Sequence, residues 1–514
     1  MGDAPGAHRP ALMQQALFSK EFCAILFESG CMRQTGAKNR GAWAVRQDIS
    51  MTDRGWRTAP RAFAVMTGFT LVAGCAVSPY DAPAFSFLSS YKSVPEGSPV
   101  LLSNANWWKT FKDPTLDALI ETGFAGNLNL DIARERVIEA RAQQRAVPQS
   151  AFFSPRTSAG RERDGNGRTD TRADATLGFD WIIDIYGGRR AQVDAAGARI
   201  EVADAEVDAA RLLLLLNIAN AYVDLRYQQT SLRLRQSELA SRGQTLELIE
   251  RLQQGNAATQ VDVVKARALV SETRSEIPEI RAAIDAARNE IAVLTGKVPG
   301  TLGIDLDKGA RQPRVSLSPE VGIPADLLRN RPDIRVAERR YYASFRDVAA
   351  ARADLYPRLS LSGMITRSTL SGSAGTEYFF GPTLTFPILP TTARRATVEQ
   401  RESLVRQAHT QWKLTVLEAI RDVETSLAEY GAALSAQRSA DETVRLYKQV
   451  VMLTRQIVTR DGATIRDLID AEQNVATANT TLAATLRRVG RNFVALNVNL
   501  GSGHAVGKRQ VGGE

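Results

Sequence analysis

The chain has 514 residues, of which 44% are hydrophobic and 24% charged, and a formal net charge of +9. That length supports several domains, and the basic excess is spread without a dense cluster, which sets nucleic-acid binding aside. Three cysteines (Cys23, Cys31, Cys75) and three histidines (His8, His409, His504) are too scattered for a metal site or a disulfide framework. No GxGxxG, Walker, HExxH or GxSxG pattern occurs, so an enzyme reading lacks a nucleophile, a base and a metal, and no cofactor is expected.

Residues 1–50 carry no periodicity and read as an extension ahead of a natural start at Met51. Residues 51–74 read as an export signal. Arg54, Arg57 and Arg61 precede the apolar stretch Ala62 to Ala73, which is too short to span a membrane. The stretch runs into Leu71-Val72-Ala73-Gly74-Cys75. This resembles the lipobox of bacterial lipoproteins, which implies that Cys75 is acylated and becomes the first mature residue. Residue 76 is Ala, not the Asp that retains such lipoproteins at the inner membrane, so outer-membrane delivery is implied.

After a lipidated N-terminal segment, 75–114, the chain reads as one unit written twice, over 115–300 and 320–503, followed by a disordered tail, 504–514. Gly187-Gly188-Arg189-Arg190-Ala191 corresponds to Thr392-Ala393-Arg394-Arg395-Ala396, Val261-Asp262 to Arg466-Asp467, and Thr295-Gly296 to Leu500-Gly501, all at a constant offset. Each unit predicts a helix, two strands, a very long helix and a long helix. The first helix is expected as one piece over 115–146 and its counterpart over 324–354, with Pro148 and Pro357 marking where they stop.

Strand signals follow each of these helices. Ala173, Ala175, Leu177, Phe179, Trp181 and Ile183 alternate with a polar row broken only by Ile182, and Leu359, Leu361 and Ile365 alternate with Ser360, Ser362 and Thr366. Phe380, Pro382, Leu384, Phe386 and Ile388 give a third row. Period two with one apolar and one polar face fits a transmembrane barrel strand, and equally the face of a soluble sandwich. Loops are expected at Asp164 to Arg168 and Ser371 to Gly375.

Two proline-free helices come next, about Arg189 to Gln254 and about Ala393 to Arg460, each about 100 Å long at 1.5 Å per residue. Val202, Ala205, Ala209, Leu212, Leu216, Ala219 and Val223 follow heptad spacing, as do Leu468, Ala471, Val475, Ala478, Leu482, Thr485 and Val489. Turns are expected near Gly255 and Gly462. Four strands cannot close a membrane barrel, and open edges in lipid are costly, so the chain is expected to oligomerise. The fold class read here is α+β. A long coiled-coil helical barrel joins four transmembrane strands per protomer, and three copies complete a 12-stranded barrel.

The mature chain resembles the TolC-like outer membrane efflux proteins, in particular their NodT and OprM type lipoprotein branch. Trp107-Trp108 through Leu116, Ile323-Pro324 through Arg331-Pro332-Asp333-Ile334, Asp184 to Gly187, Ala351 to Pro357 and the closing Ala495 to Gly501 carry the resemblance. It departs at Ile182, where Glu is usual, and at Arg460-Asp461-Gly462, where the hairpin glycine is displaced. The resemblance implies a homotrimeric exit duct in the outer membrane, anchored to its lipid. The duct would dock a periplasmic adaptor protein and an inner-membrane efflux pump. It also implies a gate at the periplasmic end of the helices, where Asp467 and Asp470 match the gate aspartates, while Asp262 matches Asp467 and Lys265 replaces the second acid. Bound cations, or Arg460 or Arg466, are the candidate partners of these carboxylates. The exit duct of a type I secretion system and a structural periplasmic coiled-coil lipoprotein are the alternatives.

Overall fold

The computed structural model describes residue 83 and residues 106–163, 165–167, 169–309, 311–315, 331–370, 372–387, 391–458 and 464–503. Residues 1–74, Cys75, the stretch 323–330, Arg460 to Gly462 and the tail 504–514 lie outside the described residues.

The first described segment is pinned by aromatic burial. A 3-10 turn, Trp107–Phe111, buries Trp107, Trp108 and Phe111. Trp107 packs edge-on against Phe493 (6.0 Å between ring centroids), and its indole N–H donates to the Ser502 carbonyl at 3.1 Å. The two ends of the described chain are thereby held together, with no polar atom of the indole left unpaired. Asp113 then caps helix α1 (Pro114–Gly126) by accepting from the Thr115 amide at 3.0 Å, with Pro114 in the first turn, where its missing N–H costs nothing.

The single helix expected over 115–146 is two helices, α1 and α2 (Leu128–Arg145). Asn127 breaks it in extended geometry (ψ 121°) and caps α2 by accepting from the Leu130 amide at 3.0 Å. The cause is tertiary. The Asn127 amide also donates to the Leu294 carbonyl at 2.8 Å, and the Gly126 carbonyl lies so close to Gly296 that a Cβ there would stand 1.8 Å away. Gly296, at φ 70°, is thus required both by backbone conformation and by contact.

Strands β1 (Ala151–Arg163), β2 (Thr169–Ile183), β3 (Arg358–Leu370) and β4 (Ser373–Thr385) form one antiparallel sheet in the order β1-β2-β3-β4. The register aligns the apolar rows. Phe153 lies opposite Phe179, then Gly363, then Phe380, and Pro155 opposite Leu177, Ile365 and Tyr378. Phe380 fills the space a side chain on Gly363 would take, since a Cβ there would meet its ring at 2.9 Å. The other face is polar, with the Thr176 and Thr366 hydroxyls 3.0 Å apart and Ser362 donating to Asp180 at 3.0 Å. Pro155 and Pro382 both fall on edge strands, where a missing ladder donor is tolerated. The second hairpin is tighter than expected. Ser373, Ala374 and Gly375 pair with Leu370, Thr369 and Ser368, so only 371 and 372 connect the strands, with Gly372 at φ 92°.

Helices α3 (Gly188–Gln254) and α6 (Thr392–Val458) have 67 residues each, and α4 (Gln260–Leu294) and α7 (Ile465–Asn499) have 35 each. Helix α5 (Pro332–Ala353) precedes β3. Both 35-residue helices stop in the same way. Gly296 and Gly501 take left-handed φ while the next amide reaches back, Lys297 to Ala292 at 2.8 Å and Ser502 to Asn497 at 2.9 Å. The expected turn at Gly255 is made by its neighbour: Asn256 holds the left-handed position (φ 56°), and Gly255 has ordinary φ.

The core runs where α1, α3, α6 and α7 meet, around Leu116, Ile218, Tyr222, Val416, Tyr430 and Phe493. Inside it, Arg226 is fully buried and fully engaged. Its guanidinium donates to Tyr222 Oη (2.8 Å), Gln229 (2.9 Å), and the Leu306 and Lys308 carbonyls (2.8 and 3.0 Å). Tyr222 in turn donates to Asp113. Burial, then the hydrogen bond to Asp113, pushes the Tyr222 phenol well above its ordinary value. This network ties the segment after α4 and the start of α1 to the long helix α3.

Candidate functional site

The residues singled out from the sequence lie at the far ends of the long helices, away from the sheet. Thr259 caps helix α4 and Thr464 caps α7, each with the same capping box. The Asp467 carboxylate accepts from the Thr464 amide (2.9 Å) and hydroxyl (2.7 Å), while the Asp467 amide donates back to Thr464 Oγ1 at 3.3 Å. Asp262 and Thr259 repeat this at 3.0, 2.6 and 3.3 Å. The hydroxyl bond first, then the backbone bond, favours the ionised form, so both carboxyls lie below the ordinary Asp value. The partner that holds Asp467 is therefore a threonine. Arg466 adds only the smallest of the effects on its carboxyl, and Arg460 is outside the described residues.

Asp470 lies one turn further along α7, exposed, with no hydrogen-bond or ion-pair partner among the described residues. Three residues apart on a helix, it shares a face with Asp467. The opposite face of α7 is apolar. Ile465 and Ile469 pack on Ile249, Val263 and Ala266, so the α7 start leans on the α3–α4 tip and turns its acids away.

One turn deeper lies a polar cluster that the sequence reading did not find. The Glu472 side chain, only 10% exposed, accepts from Arg455 of α6 (2.7 Å) and from Ser241 (3.2 Å) and Thr245 (3.0 Å) of α3. Arg242 of α3 pairs with Glu238 (2.6 Å), donates to the Leu269 carbonyl of α4 (3.0 Å), and reaches Gln473 of α7. All four long helices meet here through charge-assisted bonds, so sliding α6–α7 past α3–α4 must break them. The signal available was the polar run Ser237, Ser241, Thr245, spaced four apart along one helix face, which points to a partner helix without naming it. Among the described residues no His, Cys, Asp or Glu cluster could hold a metal ion, and no helix is long and apolar enough to cross a membrane.

The model of the outer membrane efflux protein family matches residues 119–297 and again 323–502. The chain is 33% identical to nodulation protein T of Rhizobium leguminosarum bv. trifolii over 458 residues, covering 84% of this chain and 96% of that protein. It is 27% identical to the pyoverdine export outer membrane protein OpmQ of Pseudomonas putida over 427 residues, covering 78% and 89%. Among solved structures, the outer-membrane channel OprN superposes with a TM-score of 0.77 at 27% identity, covering 84% of this chain and 99% of that one.

Proposed function

The chain belongs to the outer membrane efflux protein family, and from that membership we propose that it is the exit duct of a tripartite efflux system. Its work is to carry small molecules delivered by an inner-membrane pump and a periplasmic adaptor out through the outer membrane. Cys75 anchors it by lipid, two repeats over 115–300 and 320–503 build each protomer, and three protomers close a 12-stranded barrel continuous with a helical tube. Asp467 and Asp470 narrow the periplasmic end of that tube.

The observation that carries this reading is an open row of four elements at every level. The strands run β1-β2-β3-β4. The helices beside them neighbour one another as α2-α3-α5-α6, and at the tips as α6-α7-α3-α4. Among the described residues each row ends in unpartnered edges. Exposed Leu446, Val450, Leu453 and Ile457 follow heptad spacing along α6 and wait for a facing helix, as do Leu128 and Ile132 on α2. The apolar face of the sheet, with Phe153, Ile365, Tyr378 and Phe380 all exposed, suits lipid and not water. A single open edge is common in soluble folds. Matching open edges in three stacked rows are what one third of a closed ring presents.

The test is to purify the protein in detergent and weigh it, then to measure efflux in cells lacking the gene. A trimer mass and a rise in sensitivity to pump substrates are expected. A stable monomer that keeps its strand content overturns the reading. Lipidation has its own check: labelled palmitate should mark the protein and fail to mark Cys75→Ser.

A further inference from the structure

We propose that the lipid-facing side of the strand sheet carries a binding surface for the phosphorylated glycolipid of the outer leaflet, made by Arg161, Arg163 and Arg367. It rests on the reading that this sheet is part of a barrel crossing the outer membrane.

Register decides which side each charge takes. The apolar face is built from the odd-numbered positions of β1, β2 and β3 and the even-numbered ones of β4. Arg161, Arg163 and Arg367 occupy that face, and among the described residues no Asp or Glu does. Asp170, Asp174, Asp180 and Glu377 all take the opposite register, where Arg156, Arg172 and Arg358 also stand. The inward face therefore mixes both signs, and the outward face is purely cationic.

Depth then decides which lipid meets these cations. Counted from the Ile183–Leu359–Leu384 row, the Ala175–Arg367–Thr376 row is eight residues up the sheet. At 3.3–3.4 Å per residue that is about 27 Å along the strand. With a tilt of 35–45° it is roughly 20 Å of height, against an apolar band of about 25 Å. Arg367 so stands at the border of the hydrocarbon, one row beyond Tyr378, an interfacial residue type. Arg161 and Arg163 lie further toward the first hairpin. An arginine on the lipid face is costly at mid-depth and nearly free at the border, so this placement is the one the bilayer permits. The hairpins lie at the opposite end of the strands from the long helices, which puts the three cations in the outer leaflet, whose glycolipid carries phosphates on a disaccharide.

The local geometry suits such a headgroup. The Arg367 guanidinium donates to Thr376 Oγ1 at 2.8 Å, which fixes its plane while leaving further N–H donors outward. Beside it is a shallow hollow of about 370 Å³ whose lining includes the small residues Thr157, Ala159, Ala173, Ala175 and Thr369, with Ser158 and Asp174 also bordering it from the opposite register, and it has room for a sugar ring next to the cation. Guanidinium and phosphate then meet in bidentate geometry at a low-dielectric border, where such pairs are strong.

The experiment uses the full-length protein purified in detergent, native mass spectrometry, and three lipids: bis-phosphorylated lipid A, dephosphorylated lipid A and phosphatidylglycerol. The wild type should retain bis-phosphorylated lipid A at least about tenfold better than either other lipid. The triple variant Arg161→Ser, Arg163→Ser, Arg367→Ser should lose that preference, and Arg367→Lys should keep part of it. Equal retention by wild type and triple variant overturns the proposal, as does equal binding of the dephosphorylated form. Phosphatidylglycerol binding as well, with the same dependence on the arginines, overturns the assignment to glycolipid. Trimer mass and channel conductance in planar bilayers are recorded on the same samples. A conducting trimer without lipid A preference sinks this inference alone, whereas a protein that neither trimerises nor conducts sinks the barrel reading beneath it.

Discussion

Asp467 serves its own helix before it serves any gate. Its carboxylate closes the capping box with Thr464, and those bonds hold its pKa below the ordinary Asp value. A depressed folded pKa means the cap is complete above the ordinary carboxylate range and is lost as pH falls through the depressed value. Near neutral pH the cap is therefore intact. Thr464→Ala should move the Asp467 titration, followed by NMR, up toward the ordinary Asp value, and should speed amide exchange in the first turn of α7 roughly fivefold. An unmoved titration would mean that the carboxylate is held by something else. Asp470 carries no such duty, so Asp470→Asn separates charge from helix capping. If the two acids line a cation-binding constriction, this variant should weaken block by divalent cations added to the periplasmic side in planar bilayers, with conductance equal or higher. Unchanged block in an assembled trimer would leave Asp470 an ordinary surface acid.

Between elements, the Glu472 cluster decides how firmly the two helix pairs hold together. Removing its carboxylate leaves Arg455 without its ion-pair partner and takes away the acceptor of the Ser241 and Thr245 hydroxyls. Hydrogen bonds to a charged, mostly buried group are worth about 2 kcal/mol. Glu472→Ala should therefore loosen the α6–α7 tip against α3–α4, read as faster hydrogen exchange in residues 465–475 and more frequent channel opening. Glu442→Ala is the control. It also breaks an ion pair, to Arg445, but both of those side chains are more than half exposed, where such a pair contributes little. Equal effects from the two substitutions would show that the cluster has no special role. Gly296 belongs to the same scale: Gly296→Ala sets a side chain against the Gly126 carbonyl in a left-handed conformation and should lower thermal stability markedly.

For the whole molecule, the proposed closure of the open rows between protomers would make assembly part of the fold. The exposed heptad on α6 is the sharpest handle. Leu453→Glu places a charge in the expected seam between protomers and should convert trimer to monomer in detergent, as read by mass, with helical content largely kept. A trimer of unchanged stability would place the seam elsewhere.

Periodicity alone was enough to read the long helices, their heptads and the strand faces, because each is a local pattern repeated over many residues, whereas the second hairpin proved tighter than its loop signal. The starts expected for the two longest helices differ from those found by one residue each, and the end expected for α3 is the one found. Asp467 and Asp470 were legible as acids at a helix start, and the Thr464-to-Asp467 spacing was itself a readable cap signal. Tertiary structure decided the rest. Asn127 breaks a helix because Leu294, 167 residues away, accepts its amide. Glu472 is a junction because Thr245, 227 residues away, faces it. Register across three strand pairs, not alternation within one strand, put Arg161, Arg163 and Arg367 on a single face. Contacts between residues so far apart depend on how whole helices and strands dock, and no local spacing encodes which partner a side chain will meet.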